Sequence, residues 1–316
     1  MHPDARIYIA GHTGLAGSAI LRVLERAGHT NLVLRRHAEL ELTDARAVTA
    51  FFERERPEYV FLAAAKVGGI LANDTYPADF IRENLAVQLN VIHEAWRAGV
   101  KRLLFLGSSC IYPRDCPQPI REEYMLTGPL EPTNRAYALA KIAGIEMCWS
   151  YNRQHGTRFL AAMPTNLYGP GDNYSLSNSH VLPALIRKIH EAKQAGENQV
   201  TLWGSGRPRR EFLFSDDMAE ACVFLLRLPE AEFGRLVAPA QAPLINIGAG
   251  TDQSIAELAV LIAEVLGYLG EFVYDASKPD GTPRKLLDVS RMTALGWKPQ
   301  IDLRKGIALA YEAFVR

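Results

Sequence analysis

The stretch "RIYIAGHTGLAG", residues 6–17, most narrows what this chain can become. A strand-like apolar run breaks at Gly11, glycine recurs at Gly14 and Gly17, and an amphipathic pattern runs from Leu15 to Ala27. A strand feeding a helix through so short a turn is the opening half of a βαβ unit. Gly11 permits the tight turn, Gly14 lets backbone approach a pyrophosphate, and Gly17 allows close packing, so that an anion rests on the helix N-terminus. The spacing is GxxGxxG, and a purely structural turn would use glycine in the same way. Its position after the first strand of an alternating pattern favours a dinucleotide cradle built from Gly11, His12, Thr13, Gly14, Leu15, Ala16 and Gly17.

The alternation continues. "NLVLR", "YVFLAAA", "RLLFLG" and "RFLAAMP" read as strands. Between them lie helical patterns at 44–55, with Thr43 or Asp44 available as a cap, and at 78–98 and 135–154. Continuous apolar strands separated by helices predict a parallel sheet covered on both faces. After Met163 the rhythm changes to long polar loops, "PTNLYGPGDNYSLSNSH" and "WGSGRPRREF", with helical segments at 180–195, 215–228 and 254–266. Loops of that length in a compact domain are usually functional. The expected fold is α/β, a Rossmann-type doubly wound parallel sheet with a smaller C-terminal α/β substrate lobe. Residues 1–165 are assigned to the cofactor domain and 166–316 mainly to the substrate lobe. Residues 215–250 are expected to return to the first domain, because "APLINIGAG" can rejoin its sheet as a strand.

Charge excludes other roles. With 35 basic and 35 acidic side chains in 316 residues, the chain lacks the basic footprint that nucleic acid or a membrane surface demands. Apolar runs fall short of a membrane span, and "MHPDARIYIAG" enters a strand too soon for a signal peptide. The four cysteines, at 110, 116, 148 and 222, show neither CxxC nor metal-type spacing. Free thiols, no metal site and a cytoplasmic, reducing location are therefore expected.

Two further patterns bear on chemistry. The second strand ends in Arg35, Arg36 and His37, with no acidic residue where NAD binders hold the ribose 2′-OH. Adjacent arginines there favour the 2′-phosphate of NADP, although a solvated basic turn has the same composition. "YALAK" sets Tyr137 and Lys141 four apart, on one helix face. A lysine beside a phenol is expected to lower its pKa and let it exchange protons with a carbonyl oxygen. Ser108, just past the strand "RLLFLG", can supply a second hydrogen bond to the same oxygen.

Combined with "LGSSCIYP", "EPTNRAYALAKIAGIEMC", "MPTNLYGPGDNYSLSNSHVLPAL", "WGSGRPRREFLFSDDMA" and "DASKPDGTPRKLLDV", these features resemble the extended short-chain dehydrogenase/reductases that act on nucleotide sugars. The resemblance covers nearly the whole chain. More narrowly, it is to the branch that turns GDP-4-keto-6-deoxy-D-mannose into GDP-L-fucose with NADPH, inverting C3 and C5 and reducing the C4 ketone. It implies Ser108, Tyr137 and Lys141 at the ketone oxygen, and Cys110 with His180 as the acid/base pair of epimerisation. By composition alone Cys110 is a small buried hydrophobe and His180 a capping or packing residue. An extended backbone after Ser108 would turn Cys110 to the same side.

The resemblance further implies cofactor contacts from Leu42, Leu106, Gly107, Ser108, Ser109, Lys141, Pro164, Thr165, Asn166, Leu167 and His180, Asn166 being equally placed for the sugar. Substrate contacts fall on Lys188, Trp203, Arg210 and Asp280. Residue type alone leaves Lys188 as a solvated helix face and Trp203 as a core anchor. It leaves open which arginine of 207–210 meets the pyrophosphate. A homodimer through the helices at 78–98 and 135–154 is implied, although their apolar faces could equally cover the sheet. Two alternatives share this framework, an NAD-dependent nucleotide-sugar 4-epimerase and an inactive dinucleotide-binding regulator. Cys110, His180 and "LRRH" weigh against the first, and the presence of Tyr137 and Lys141 against the second.

Overall fold

A computed structural model describes residues 1–176, 179–277 and 280–316. The chain runs β1 (Ile7–Ala10), α1 (Leu15–Arg26), β2 (Leu32–Val33), α2 (Ala45–Glu55), β3 (Tyr59–Leu62), α3 (Ile70–Thr75), α4 (Pro77–Arg97), β4 (Arg102–Leu106), α5 (Arg135–His155) and β5 (Phe159–Pro164). It continues through β6 (Asn166–Tyr168), α6 (Val181–Ala195), β7 (Gln199–Trp203), β8 (Arg209–Phe214), α7 (Ser215–Arg227), α8 (Glu230–Leu236) and β9 (Leu244–Ile247). It ends with β10 (Asp252–Ser254), α9 (Ile255–Leu266), β11 (Glu271–Asp275), β12 (Arg284–Lys285), α10 (Ser290–Ala294) and α11 (Leu303–Val315).

Among the described residues, β2-β1-β3-β4-β5-β9 form one six-stranded sheet in that order, with every pairing parallel. Alternate residues of each strand feed opposite cores. Ile7, Ile9, Leu104, Leu106 and Leu160 pack toward α1 and α7, while Tyr8, Leu103, Phe105 and Phe159 pack toward α2, α4 and α5. The continuous apolar runs thus have their cause in burial on both faces. β2 is shorter than "NLVLR" suggested, because the chain leaves the sheet after Val33 as Arg35 turns toward Glu55 on α2.

Local chemistry sets the helix ends. The Asp44 carboxylate accepts from Arg46 N and Ala47 N at the start of α2, and Ser254 and Glu257 form a reciprocal cap on α9. α5 stops at Gly156, where φ is +66°.

The order of the main sheet reverses between β1 and β3, which places the ligand crevice outside their carboxyl ends. After β5 the chain builds a third core from β6, α6, β7, β8, α9 and α11, including Tyr168, Ile186, Ile189, Phe212, Ile262 and Ile307. In between, α7 packs on α1 and β9 extends the main sheet beside β5. β8 is the hinge-pin of the smaller lobe. It pairs with β6 through Phe212–Phe214, with β10 through Arg209–Glu211, and with β12 through Arg209 and Arg210. No helix among the described residues is long and apolar enough to cross a membrane.

Candidate active site

The glycine loop closes around its own backbone. Gly11 has φ +85°, and a Cβ there would lie 2.7 Å from Ala64 N, just past β3. A Cβ on Gly17 would lie 2.1 Å from Gly11 O, so the close approach that needs glycine is helix against loop. Gly14 differs, since its nearest neighbour would be Gly11 O at 3.6 Å. α1 begins at Gly14 without a side-chain cap, which leaves its first N–H groups for an anion. His12 Nδ1 is buried beside them with no hydrogen-bond partner. An open glycine face, an uncapped helix start and an unsatisfied donor-acceptor group suit the pyrophosphate of a dinucleotide.

The residues after β2 separate. Arg35 donates to Glu55 Oε1 at 2.6 Å and to Leu34 O, beside Arg6 and Arg54 on the same carboxylate. His37 pairs with Glu41 at 2.7 Å on the surface. Arg36 instead stays near the glycine loop, where its charge joins burial in lowering the basicity of His12. The carbonyl of Leu42 accepts from Asn90. Of the three basic residues after β2, Arg36 is the one whose charge is felt in the cradle.

At the end of β4, Gly107 leaves room for Met163, whose Cε would be 2.1 Å from a Cβ. Ser108 is extended, but Ser109–Ile111 form a 3-10 turn. The extended run expected through Cys110 is therefore corrected: the Ser108 hydroxyl accepts the Cys110 N–H at 3.3 Å and curls the chain. The thiol still reaches the catalytic cluster. Its sulfur accepts from Asn134 Nδ2 at 3.3 Å and lies 3.9 Å from Lys285 Nζ. Its field is felt at Tyr137 and at Arg210.

Asn134, Tyr137 and Lys141 follow i, i+3, i+7 spacing and share one stripe at the start of α5. Lys141 is buried, its Nζ donating to Leu106 O at 2.7 Å and lying 5.8 Å from the Tyr137 ring centroid. Burial pushes Lys141 down to about 7. The Tyr137 phenol is pushed well above its ordinary value by burial and then by Cys110, with the hydrogen bond to Ser108 working the other way. The expected lysine-driven drop is thus corrected: burial and then Cys110 hold the phenol above its ordinary value, and Tyr137 keeps its proton. A proton donor needs that state. His180 precedes α6 with no capping bond, and burial followed by the Lys285 charge lowers its basicity.

On the substrate side, Lys188 of α6 donates to Thr201 O at 3.2 Å and sits 4.9 Å from the Trp203 ring centroid. Trp203 is 55% exposed, so it is no core anchor. Arg209 is bound to Asp252 and Glu257, whereas Arg210 runs along Thr282 O near Cys110 and Asp280. Asp280 holds Ser205 through both carboxylate oxygens, at 2.9 and 2.7 Å. Thr165 N donates to Ile247 O, and the side chains of Thr165 and Asn166 both donate to Glu211 O, fixing the segment Pro164–Leu167 between the two sheets.

Asn134 and Lys285 were not singled out from sequence. Both lie inside the stretches that carry the family resemblance, but their roles depend on a sulfur 24 and 175 residues away, respectively.

The model of the NAD dependent epimerase/dehydratase family matches residues 7–238. The chain is 56% identical over 314 residues to GDP-L-fucose synthase 1 of Arabidopsis thaliana, covering 99% of this chain and 94% of that one. It is 55% identical over 310 residues to GDP-L-fucose synthase of Escherichia coli (strain K12), covering 98% and 96%. Among solved structures it is similar to MlghC, a GDP-mannoheptose C4 reductase from Campylobacter jejuni with NADP bound. That match has 41% identity, a TM-score of 0.91 and full coverage of both chains.

Proposed function

Because the chain belongs to the NAD-dependent epimerase/dehydratase family, we propose that it works within it as a GDP-L-fucose synthase. It converts GDP-4-keto-6-deoxy-D-mannose to GDP-L-fucose by epimerisation at C3 and C5 and NADPH-dependent reduction at C4. The observation that carries this reading is one cluster holding both kinds of chemistry. Ser108, Tyr137 and Lys141 form an oxygen-handling set, and Cys110 belongs to the same cluster through Asn134 and the electrostatics of Tyr137. Identity of 55–56% over nearly the full length of two curated synthases supports it.

In this mechanism Ser108 and Tyr137 hydrogen-bond the C4 ketone oxygen. Removal of a proton from C3 breaks the C–H bond and sends its electron pair toward that oxygen, where the same two donors stabilise the enolate. Cys110 and His180 serve the two faces of the carbon, one removing and one returning the proton, and C5 follows in the same way. NADPH bound at the glycine loop supplies the hydride for C4. Tyr137, held protonated by burial, then gives its proton to the C4 alkoxide. Lys141 fixes the helix stripe to β4 through Leu106 O. Arg210 and Lys188 offer positive charge to the pyrophosphate, and Trp203, exposed beside Lys188, offers a face to the base.

The proposal extends to architecture. Residues 1–165 with 215–250 form the cofactor lobe and the remainder mainly the substrate lobe. Two copies pair through α4 and α5, which leave Leu85, Leu89 and Leu139 exposed, and the enzyme works in the cytoplasm.

Incubation with GDP-4-keto-6-deoxy-D-mannose and NADPH in D₂O tests the function. GDP-L-fucose carrying deuterium at C3 and C5 is expected, with one NADPH oxidised per product. Cys110→Ser should lose about 100-fold or more of the exchange, the usual size of general acid–base catalysis, while NADPH affinity holds. Turnover without NADPH oxidation, or undiminished exchange in the variant, would overturn the reading.

A further inference from the structure

Asn134 stands directly before α5, one turn ahead of Tyr137, and uses its side chain in an unusual way. Asparagine at a helix start ordinarily satisfies a free backbone N–H, yet Asn134 makes no capping bond. Its Nδ2 donates instead to Cys110 Sγ at 3.3 Å, and sulfur is a weak acceptor. Its Oδ1 is buried with no partner at all. An unsatisfied buried carbonyl costs stability, and such groups in a native fold call for a cause. Here one side chain makes two locally unfavourable choices at the same point.

A bound ligand removes the second anomaly and gives the first a use. The nitrogen and oxygen of one amide group lie a bond angle apart, so with Nδ2 held at the sulfur, Oδ1 lies beside it too. A hexose presented to Cys110 carries hydroxyl donors next to the carbons whose protons move. We propose that Asn134 is a positioning residue of the epimerisation step: Nδ2 fixes the Cys110 side chain, while Oδ1 accepts a hydrogen bond from a sugar hydroxyl beside the reacting carbon. This rests on the reading of the substrate given above and adds to it the group that aligns thiol and sugar. The alignment is specific to epimerisation, because hydride transfer at C4 relies on Ser108 and Tyr137.

Three other groups bound the thiol. Lys285 Nζ lies 3.9 Å from the sulfur on β12, Arg210 approaches from β8, and Tyr137 from α5. Lys285 is held there by the register of β12 on β8, and the bridge between Ile120 and Leu287 ties the same segment to the chain beyond Cys110. These fix the surroundings of the sulfur, and Asn134 is the member of the set with a buried, unused acceptor.

Two variants and four readouts test the assignment. Asn134→Ala removes both ends of the amide. It is expected to raise the KM for the GDP-keto-sugar about tenfold, as one lost substrate hydrogen bond would, and to slow deuterium entry at C3 and C5 by a similar factor or more. Asn134→Asp keeps an acceptor and the side-chain shape but loses the donor. Its KM should stay near wild type while exchange falls, a split that a merely structural residue would not produce. NADPH affinity should hold in both. Melting temperature, measured without substrate, should be no lower in Asn134→Ala than in wild type, since the amide is held at a cost.

Wild-type KM and exchange in Asn134→Ala overturn the inference, as does a lowered melting temperature with lost NADPH binding. If the wild type itself shows neither exchange nor turnover, the substrate reading fails. The melting comparison then still decides whether the amide is held at a cost.

Discussion

Arg35 and Arg36 are neighbours at the end of β2, and the structure gives them different work. Arg35 belongs to the group of arginines around Glu55, a carboxylate on α2 held below its usual pKa range by Arg6, Arg54 and Arg35 against the opposing effect of burial. Arg36 is engaged through its backbone, its N–H donating to Glu39 at 2.7 Å and its carbonyl accepting from Glu39 N and Leu40 N, and its charge reaches His12 in the glycine loop. A 2′-phosphate would therefore meet Arg36. Arg36→Ala should raise the KM for NADPH about 10- to 100-fold, the value of a charge-assisted hydrogen bond of about 1.5–3 kcal/mol. The KM for NADH should hardly move. Arg35→Ala should leave both constants near wild type and lower stability by about 1 kcal/mol or less, because Glu55 keeps two other partners. Steady-state kinetics with both cofactors checks this, and equal losses with NADPH and NADH in Arg36→Ala would refute it.

Among elements, β8 has the most consequences for the site, through a residue that faces away from substrate. Glu211 is fully buried between Arg210 and Phe212, its Oε1 accepting from Gly250 N at 2.7 Å and its Oε2 from Leu287 N at 2.9 Å. That carboxylate fastens the segment after β12, and with it Lys285, to the strand that carries Arg210. Glu211→Gln replaces one acceptor by a donor facing a backbone N–H. The expected cost is about 1–3 kcal/mol, seen as a melting temperature lower by several degrees. Turnover should fall with it, because Arg210 and Lys285 lose their common anchor. An unchanged melting curve would show that Glu211 is not the fastening.

None of this was readable beforehand. α1 and α4 carry a clear 3.6-residue period, and the central strands are continuous apolar runs, so the main sheet and much of its covering were legible, whereas α5 buries residues on several faces and follows no single stripe. The spacing of Tyr137 and Lys141 still fixes their shared face. β12 is two residues, Arg284 and Lys285, with no alternation to betray a strand. It exists only because β8 and Glu211 provide its partners. The 3-10 turn after Ser108 likewise combines short-range backbone bonds with one from the Ser108 hydroxyl, which no periodicity records.

At the scale of the whole molecule, the chain crosses several times between the main sheet and the smaller core, and its stability carries the cost of what the site buries. Lys141 is the sharpest case. In the fold burial pushes it down from 10.5 to about 7. Between those values the unfolded chain binds the proton that the native state has released, so this contribution makes stability rise with pH. Asp172 acts in the opposite sense below that range. Burial raises its carboxyl from 3.8 to about 7, the native state holds the extra proton, and its contribution falls as pH rises toward 7. Lys141→Met removes the first effect and leaves the second. Loss of the bond to Leu106 O shifts the melting temperature by a nearly constant amount, so the slope is the informative quantity. The melting temperature of the variant relative to wild type should be highest at pH 7 and below. It should then decline steadily toward about pH 10, as the unfolded wild type gives up the proton that its native state has already released. Melting curves of both proteins across one buffer series measure that difference directly. A difference that stays flat over the range would mean that Lys141 enters the fold with its ordinary proton affinity.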